Sequence, residues 1–481
     1  MLEKIRKQEN IWIFTIILLI SILICFCFLK FHTVPDTYNI LEQKYEYCKT
    51  FLNDGRLISA LYLLLGKSFH ISIVTLKIIS NILSVIFQSI CVYIIYKAIR
   101  KKENNHISNC ILLIGAYLMV FHPLAIAHLG YLECGIMCLG KLACTMAAKL
   151  LIKDEKVLSP MLLIMLAAIC YQGILNVFIA IGLLLLILQE NQTVKQKMKK
   201  ILQMGVLCVI ALITIIVALK IGSNILGQAQ NKTLISGNEI LNSIILVVKL
   251  SIQSIFIDTW NLFPQYLFTI VIIITSLLFI VYKKPTDMLI YWTIIILITL
   301  SCIIPLALTN VIPEARTVSS IGTILGISII MLENLTKQNR KKEIVILIFA
   351  ILIFCYNAFI YINNGIMLQE SNKSEKEYIN DIITEITKYE QENEKEITKV
   401  AIYIDRNSQR TSHNYPNNYM TAKTIHTVYA NIDFINYYLG RKLEQIDRNE
   451  EISQYFWNKE WENFEKEQLI FIEDELHLCI F

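Results

Sequence analysis

Apolar residues in this chain gather in long uncharged runs, without the strict alternation of a half-buried strand. Ile11 to Phe31 is the first, about the 20 residues that a helix needs to cross a bilayer. Ile71 to Ile99, Ile107 to His128, Leu132 to Ile152, Leu158 to Leu188 and Ile201 to Ile221 follow. Pro264 to Tyr282, Met288 to Leu306, Thr317 to Leu332 and Ile344 to Ile362 complete the series. Lys and Arg cluster between the runs, at Lys4 to Lys7, Arg100 to Lys102, Lys153 and Lys156, Lys195 to Lys200, Lys283 and Lys284, and Lys337 to Lys342. The positive-inside rule puts these clusters and the N-terminus in the cytoplasm. Leu158 to Leu188 is basic at both ends, which predicts a hairpin of two short helices turning at Tyr171-Gln172-Gly173. The count is then about eleven spans. The first is uncleaved, because no small-residue cleavage site follows it. Gly222 to Phe263 reads as an outside segment with an amphipathic stretch, Leu241 to Ile257. No internal repeat of the transporter kind is evident.

Beyond Ile362 the pattern changes. A charged helical run covers Ser371 to Glu396, and Lys399 to Asp405 alternates as a strand does. Gln468 to Ile472 and Leu476 to Phe481 read as a closing hairpin around Asp474-Glu475. Charge changes at the same place. Residues 1–362 hold 31 Lys/Arg against 17 Asp/Glu, whereas residues 363–481 hold 13 against 22. The expected fold is an α-helical polytopic membrane domain, 1–362, with a small extracellular α+β domain, 363–481. A mean hydropathy of +0.54 excludes an ordinary soluble domain. The net charge of +5 resides in topogenic clusters, which excludes nucleic acid as a partner. Most of the 13 cysteines lie within apolar runs as small hydrophobes. No CxxC pair occurs, and nothing completes a metal site around Cys134 and Cys138. A bridge between Cys48 and Cys479 stays open, as does dependence on a divalent metal; no cofactor is assigned.

The polar residues able to do chemistry lie mainly in the outside loops. The first loop, His32 to His70, is apolar after Gly55 and reads as one or two helices on the outer leaflet. Asp36 follows the first span closely, at the depth where a carboxylate can take a proton from a hydroxyl group. It reads equally as part of a turn and helix cap at Pro35-Asp36-Thr37. Asn53-Asp54-Gly55-Arg56 is a turn that presents a cation, so Asp54 and Arg56 are candidates for substrate contact or simply a surface turn. Tyr171 and Gln172 face outward at the hairpin tip. Arg316, in Pro313-Glu314-Ala315-Arg316, has the forked geometry that suits a phosphate, or anchors at the headgroups. Glu133 and Lys141 share a span, and Lys141 near its middle calls for a cavity or an acidic partner. His122 and His128 read as interfacial or core residues.

In this order, an early acid, Gly55-Arg56, Tyr171-Gln172 and a late Pro-x-x-Arg, the chain resembles the bacterial GtrII glucosyltransferases of the GT-C membrane class. Trp461, Gln468 to Phe471 and Leu476 to Phe481 are similar to the tails of Gram-positive relatives. The resemblance implies a polyprenyl-phosphate sugar donor, commonly carrying glucose, and a cell-surface glycan acceptor. It implies that Asp36 serves as general base and Arg316 on the departing phosphate, with Arg56 as a second contact. Many relatives carry two adjacent acids where Asp36 stands alone, so the base is Asp36 by itself or with Glu42. Outward-facing acids have no nucleotide sugars at hand, and no Gly-rich phosphate loop is present. The competing reading, a flippase or transporter of a lipid-linked glycan precursor, expects polar residues along the spans. Lys77 and Lys141 are nearly the only ones.

Overall fold

The computed structural model describes residues 2–101, 105–153, 156–227, 237–306, 314–336, 339–404, 419–459, 461 and 464–480. Helix dominates, with one small sheet near the C-terminus. The chain divides into two compact units, Met1–Lys30 with Cys48–Asn363, and Phe31–Tyr47 with Asn364–Phe481.

Four described helices are long and apolar enough to cross a membrane: Ile73–Ile99, Cys134–Lys153 and Val194–Leu226 in the first unit, and Arg340–Asn393, which begins there and runs past Asn363. The pair His106–Val120 and Pro123–Leu129, bent by 43°, makes a fifth if counted as one span. Shorter apolar helices of 10–17 residues accompany them, and together they mark a membrane protein. Helix starts follow local sequence. Ser72 accepts from the Thr75 N–H at 3.1 Å, Asn105 accepts from Ser108 at 2.8 Å, and Thr193 forms a capping box with Gln196. Leu158–Cys170 and Leu175–Ile187 are separated at the Tyr171-Gln172-Gly173 triplet, and both pack along Cys134–Lys153. Helices His106–Val120 and Ile324–Thr336 cross closely at two glycines: a Cβ on Gly326 would lie 2.2 Å from the Gly115 carbonyl oxygen.

The break after Val120 explains several of the interior polar residues. Pro123 cannot continue the helix, which frees carbonyls that hydrocarbon cannot solvate. Buried side chains take them. Lys141 Nζ donates to Val120 O at 3.1 Å, Asn357 Nδ2 to Phe121 O at 2.6 Å, and Tyr361 to His122 O at 3.1 Å. At the other end of the bent piece, Lys77 Nζ reaches the carbonyls of Leu129, Gly130 and Tyr131 at 2.8, 3.0 and 2.6 Å. Lys77 lies one turn into Ile73–Ile99, not at mid-span. The partner of Lys141 is a carbonyl, where the sequence called for a cavity or an acid.

The second unit is built on a four-stranded sheet. Its strands are β1 (Lys399–Ile404), β2 (Glu444–Gln445), β3 (Leu469–Ile472) and β4 (Glu475–Ile480), in the order β2-β1-β4-β3. β1 runs parallel to β2 and β4, and β3 is antiparallel to β4. The hairpin turns at Glu473-Asp474, one residue earlier than the sequence suggested, because Glu475 already pairs with Ile472. Asp405, the last residue of the expected first strand, lies outside the described residues. Tyr403, Phe456, Trp461 and Cys479 form the sheet's core. Phe31–Tyr47 belongs to this unit because Asn372 holds both backbone groups of Thr33, at 2.8 and 2.9 Å. Tyr38, buried, also meets the Phe434 ring edge-on at 4.6 Å. The apolar run Ile344 to Ile362 and the charged run from Ser371 form one continuous helix, Arg340–Asn393.

Candidate active site

Six of the sequence candidates converge in the first unit. Gly55 turns the chain between Cys48–Asn53 and Leu57–Ser68 with φ +70°, a conformation that suits glycine. That turn aims Arg56 inward. Its Nη1 donates to Glu133 Oε1 at 3.0 Å, and its Nη2 lies 3.5 Å from Asp54 Oδ2. Gln172 Nε2 donates to the Asp54 carbonyl at 2.6 Å and so ties the hairpin tip to the same turn. Burial alone would lower the pKa of Arg56, but Asp54 and Glu133 outweigh it and the net shift is upward. The guanidinium stays charged.

Arg316 completes the cluster from the far end of the sequence. Its guanidinium lies 3.7 Å from the centre of the Tyr131 ring and 5.9 Å from that of Tyr171, while Arg56 lies 5.1 Å from Tyr171. Two cations therefore lie against one ring, a favourable contact for each where water is scarce. Arg316 Nε pairs with Glu314 at 2.6 Å. The backbone around it is fixed: Asn176 Nδ2 donates to Thr317 O at 2.6 Å, and Thr317 closes a turn back onto Glu314. Pro313 lies outside the described residues. Three carboxylates thus hold two guanidiniums. Glu133 is 3% exposed, Asp54 19% and Glu314 34%, so Glu314 is the one that an incoming anion would most readily displace.

Tyr131 carries no distinguishing sequence signal, because interfacial tyrosines are common in membrane proteins. Its place depends on Lys77, which grips the carbonyls of the turn bearing both Tyr131 and Glu133. Lys141 does not join the cluster through any described contact and serves the bent helix instead. His128 is buried, with Nδ1 3.3 Å from Ala125 O, and His122 packs against Gly322.

Asp36 and Glu42 lie in the second unit, on helix Pro35–Gln43. The cap at that helix start is Thr37, whose Oγ1 accepts from the Val34 N–H at 3.1 Å. Asp36 Oδ1 instead accepts from the Tyr429 hydroxyl at 3.0 Å. Glu42 lies 3.6 Å from Lys442 Nζ. Beside it Asp433, which the sequence did not single out, has its pKa raised by burial and then by Glu42. Among the described residues no three His, Cys, Asp or Glu side chains gather as a metal site.

A further feature of the first unit is an apolar cavity of about 290 Å³ among helices Gly237–Phe256, Leu267–Val281 and Pro285–Ser301. Ile252, Phe256, Ile273, Trp292 and Leu300 line it. Cys302, two residues past Leu300, touches Ser320 at 3.3 Å, on the segment that follows Arg316.

The family model described as Glucosyl transferase GtrII matches residues 26–333, a stretch that includes every candidate residue. Comparison with curated proteins and with solved structures finds no match.

Proposed function

The chain belongs to the GtrII glucosyltransferase family, and on that premise we propose that it moves a sugar, glucose by the family's description, from a polyprenyl-phosphate donor to a cell-surface glycan. The observation that carries this reading is the pair of guanidiniums, Arg56 and Arg316, over the Tyr171 ring. Positioned cations of this kind suit the charge that develops on a departing phosphate. In the transfer, the acceptor oxygen forms a bond to the anomeric carbon. The bond from that carbon to the donor phosphate oxygen breaks, and its electron pair leaves with the polyprenyl phosphate. Asp36, alone or with Glu42, takes the proton of the acceptor hydroxyl. Arg316 is assigned to the phosphate, with Glu314 giving way to it, and Arg56 is the second contact. The apolar cavity beside Trp292 is suited to part of the prenyl chain.

The reaction is placed at the outer face of the cell membrane, with the N-terminus inside, about eleven spans of the GT-C kind, and residues 363–481 outside. The charge clusters between the apolar runs support this sidedness. The alternative, a flippase or transporter, needs polar groups along a path. Lys77 and Lys141 are engaged on backbone carbonyls instead.

The purified chain, given polyprenyl-phosphate-linked labelled glucose and envelope glycan from the producing cells, should label the polymer. Movement of the donor across proteoliposomes with no labelled polymer would replace the transferase with the transporter.

A further inference from the structure

The surface around Asp36 has features that proton abstraction does not require. Tyr429 is 60% exposed and Tyr437 39% exposed, whereas Tyr38 and Phe434, on helices Pro35–Gln43 and Asn431–Leu439, are buried. Neither ring hangs loose. Tyr429 is held by its bond to Asp36, and Tyr437 is braced edge-on by Tyr38 at 5.7 Å and Tyr438 at 5.2 Å. Asp433 stands between them in sequence, one turn before Tyr437 on helix Asn431–Leu439, and this helix packs on Pro35–Gln43. Glu42, on helix Pro35–Gln43, is near enough to Asp433 to raise its pKa. Rigid aromatic faces with carboxylates at their rims match the two sides of a sugar ring. The apolar C–H face stacks on an aromatic ring, and the hydroxyls donate to carboxylates.

We propose that this face of the C-terminal unit is the acceptor subsite, taking a neutral pyranose chain that stacks on Tyr429 and Tyr437 and donates hydroxyls to Asp433 and Glu42. The proposal rests on the transferase reading above and names the acceptor's class within it. Charge selects the neutral class. Asp36, Glu42 and Asp433 face the site against Lys442, and residues 363–481 carry 22 Asp/Glu against 13 Lys/Arg. A phosphate- or uronate-bearing polymer would be repelled.

The test uses the full-length chain in detergent. Its mobility is measured in gels containing either the neutral or the phosphate-bearing polysaccharide extracted from the producing cells, and transfer kinetics are measured on the same samples. The neutral polymer should retard the wild type, and Tyr429→Ala and Tyr437→Ala should abolish the retardation. Both variants should raise the acceptor KM about tenfold, the worth of one well-placed aromatic contact, with the donor KM unchanged. Tyr429→Phe keeps the ring and should keep the retardation, but should lower kcat, because Asp36 loses its hydrogen bond. Because Tyr437 packs on Tyr38 and Tyr438, thermal melts of both alanine variants separate loss of the stacking face from loss of folding. Retardation by the phosphate-bearing polymer alone, or an unchanged acceptor KM in both alanine variants, overturns the subsite while the transferase stands. Retardation that depends on both tyrosines, in a protein that transfers nothing, keeps the subsite and overturns the transferase.

Discussion

In the membrane unit the tyrosines near the candidate site are buried, or nearly so, and the charges over them are cations. In the C-terminal unit Tyr429 faces solvent and its hydroxyl is bonded to a carboxylate, that of Asp36. The physics of burial accounts for the difference. A guanidinium keeps its proton in any protein environment, so Arg56 and Arg316 can be packed among rings and remain charged. A carboxylate cannot be treated that way. Glu375, buried in the second unit on the charged part of helix Arg340–Asn393, has its pKa pushed up to about 7 by burial, despite bonds from Ile425 N–H and Thr424. Lys423 beside it is shifted down, so burial outweighs their pairing on both sides. Carboxylates meant to act as bases are better kept partly wet, as Asp36 is.

The contrast breaks most readily at Asp36. Asp36→Asn keeps the size of the side chain and should fold, yet transfer should fall by about 10² to 10⁴, the usual worth of a general base. A transfer assay on matched amounts of protein decides it, with Glu42→Gln alongside. Collapse in the Glu42 variant alone would move the base there. Next in size is Arg316→Lys. Lysine keeps the charge without the fork, and loss of one charged hydrogen bond should cost about ten- to a hundredfold in turnover. Near-normal turnover would reduce Arg316 to an anchor packed on Tyr131.

The smallest effect is on stability. The folded pKa of Glu375 lies above its unfolded value near 4.5, so the fold favours the protonated form. That contribution is fully present below the unfolded value and is lost as pH rises through about 7. The C-terminal unit should therefore lose stability between pH 5 and 8, by at most on the order of 3 kcal/mol. Glu375→Gln should flatten this dependence in thermal melts of the full chain at a series of pH values. Parallel curves for the two proteins would show that the carboxyl titrates normally.

What the sequence revealed and what it hid follow a physical line. Local pattern located the apolar helices, the interruption at Tyr171-Gln172-Gly173, the strand at Lys399 and the closing hairpin, because each is written within a few neighbouring residues. Arg56, Tyr171, Gln172 and Arg316 stood out singly as polar residues at the edges of apolar runs, and the structure brings them together. Tyr429 and Asp433 stayed hidden. Their meaning comes from helix Pro35–Gln43, and the Tyr429 to Asp36 bond spans 393 positions of sequence. For Lys141 the sequence called for a cavity or an acid, and the structure gives it a carbonyl, for a related reason. A lysine in an apolar run looks functional when the broken backbone that needs it lies in another segment.

Lys77 also sets a timetable for making the protein. Its helix, Ile73–Ile99, is synthesised well before the carbonyl groups that its ammonium grips, the first of which lies 52 residues further on. Until Leu129 to Tyr131 leave the ribosome, that charge has no backbone partner in the lipid. A lone lysine at the centre of a membrane helix costs about 2.5–3.5 kcal/mol on insertion scales, and Lys77, one turn from the start of its helix, costs less than that. The nascent helix must therefore wait near the insertion machinery, or sit shallow with its lysine at the headgroups, until the bent helix arrives and the two settle to depth together.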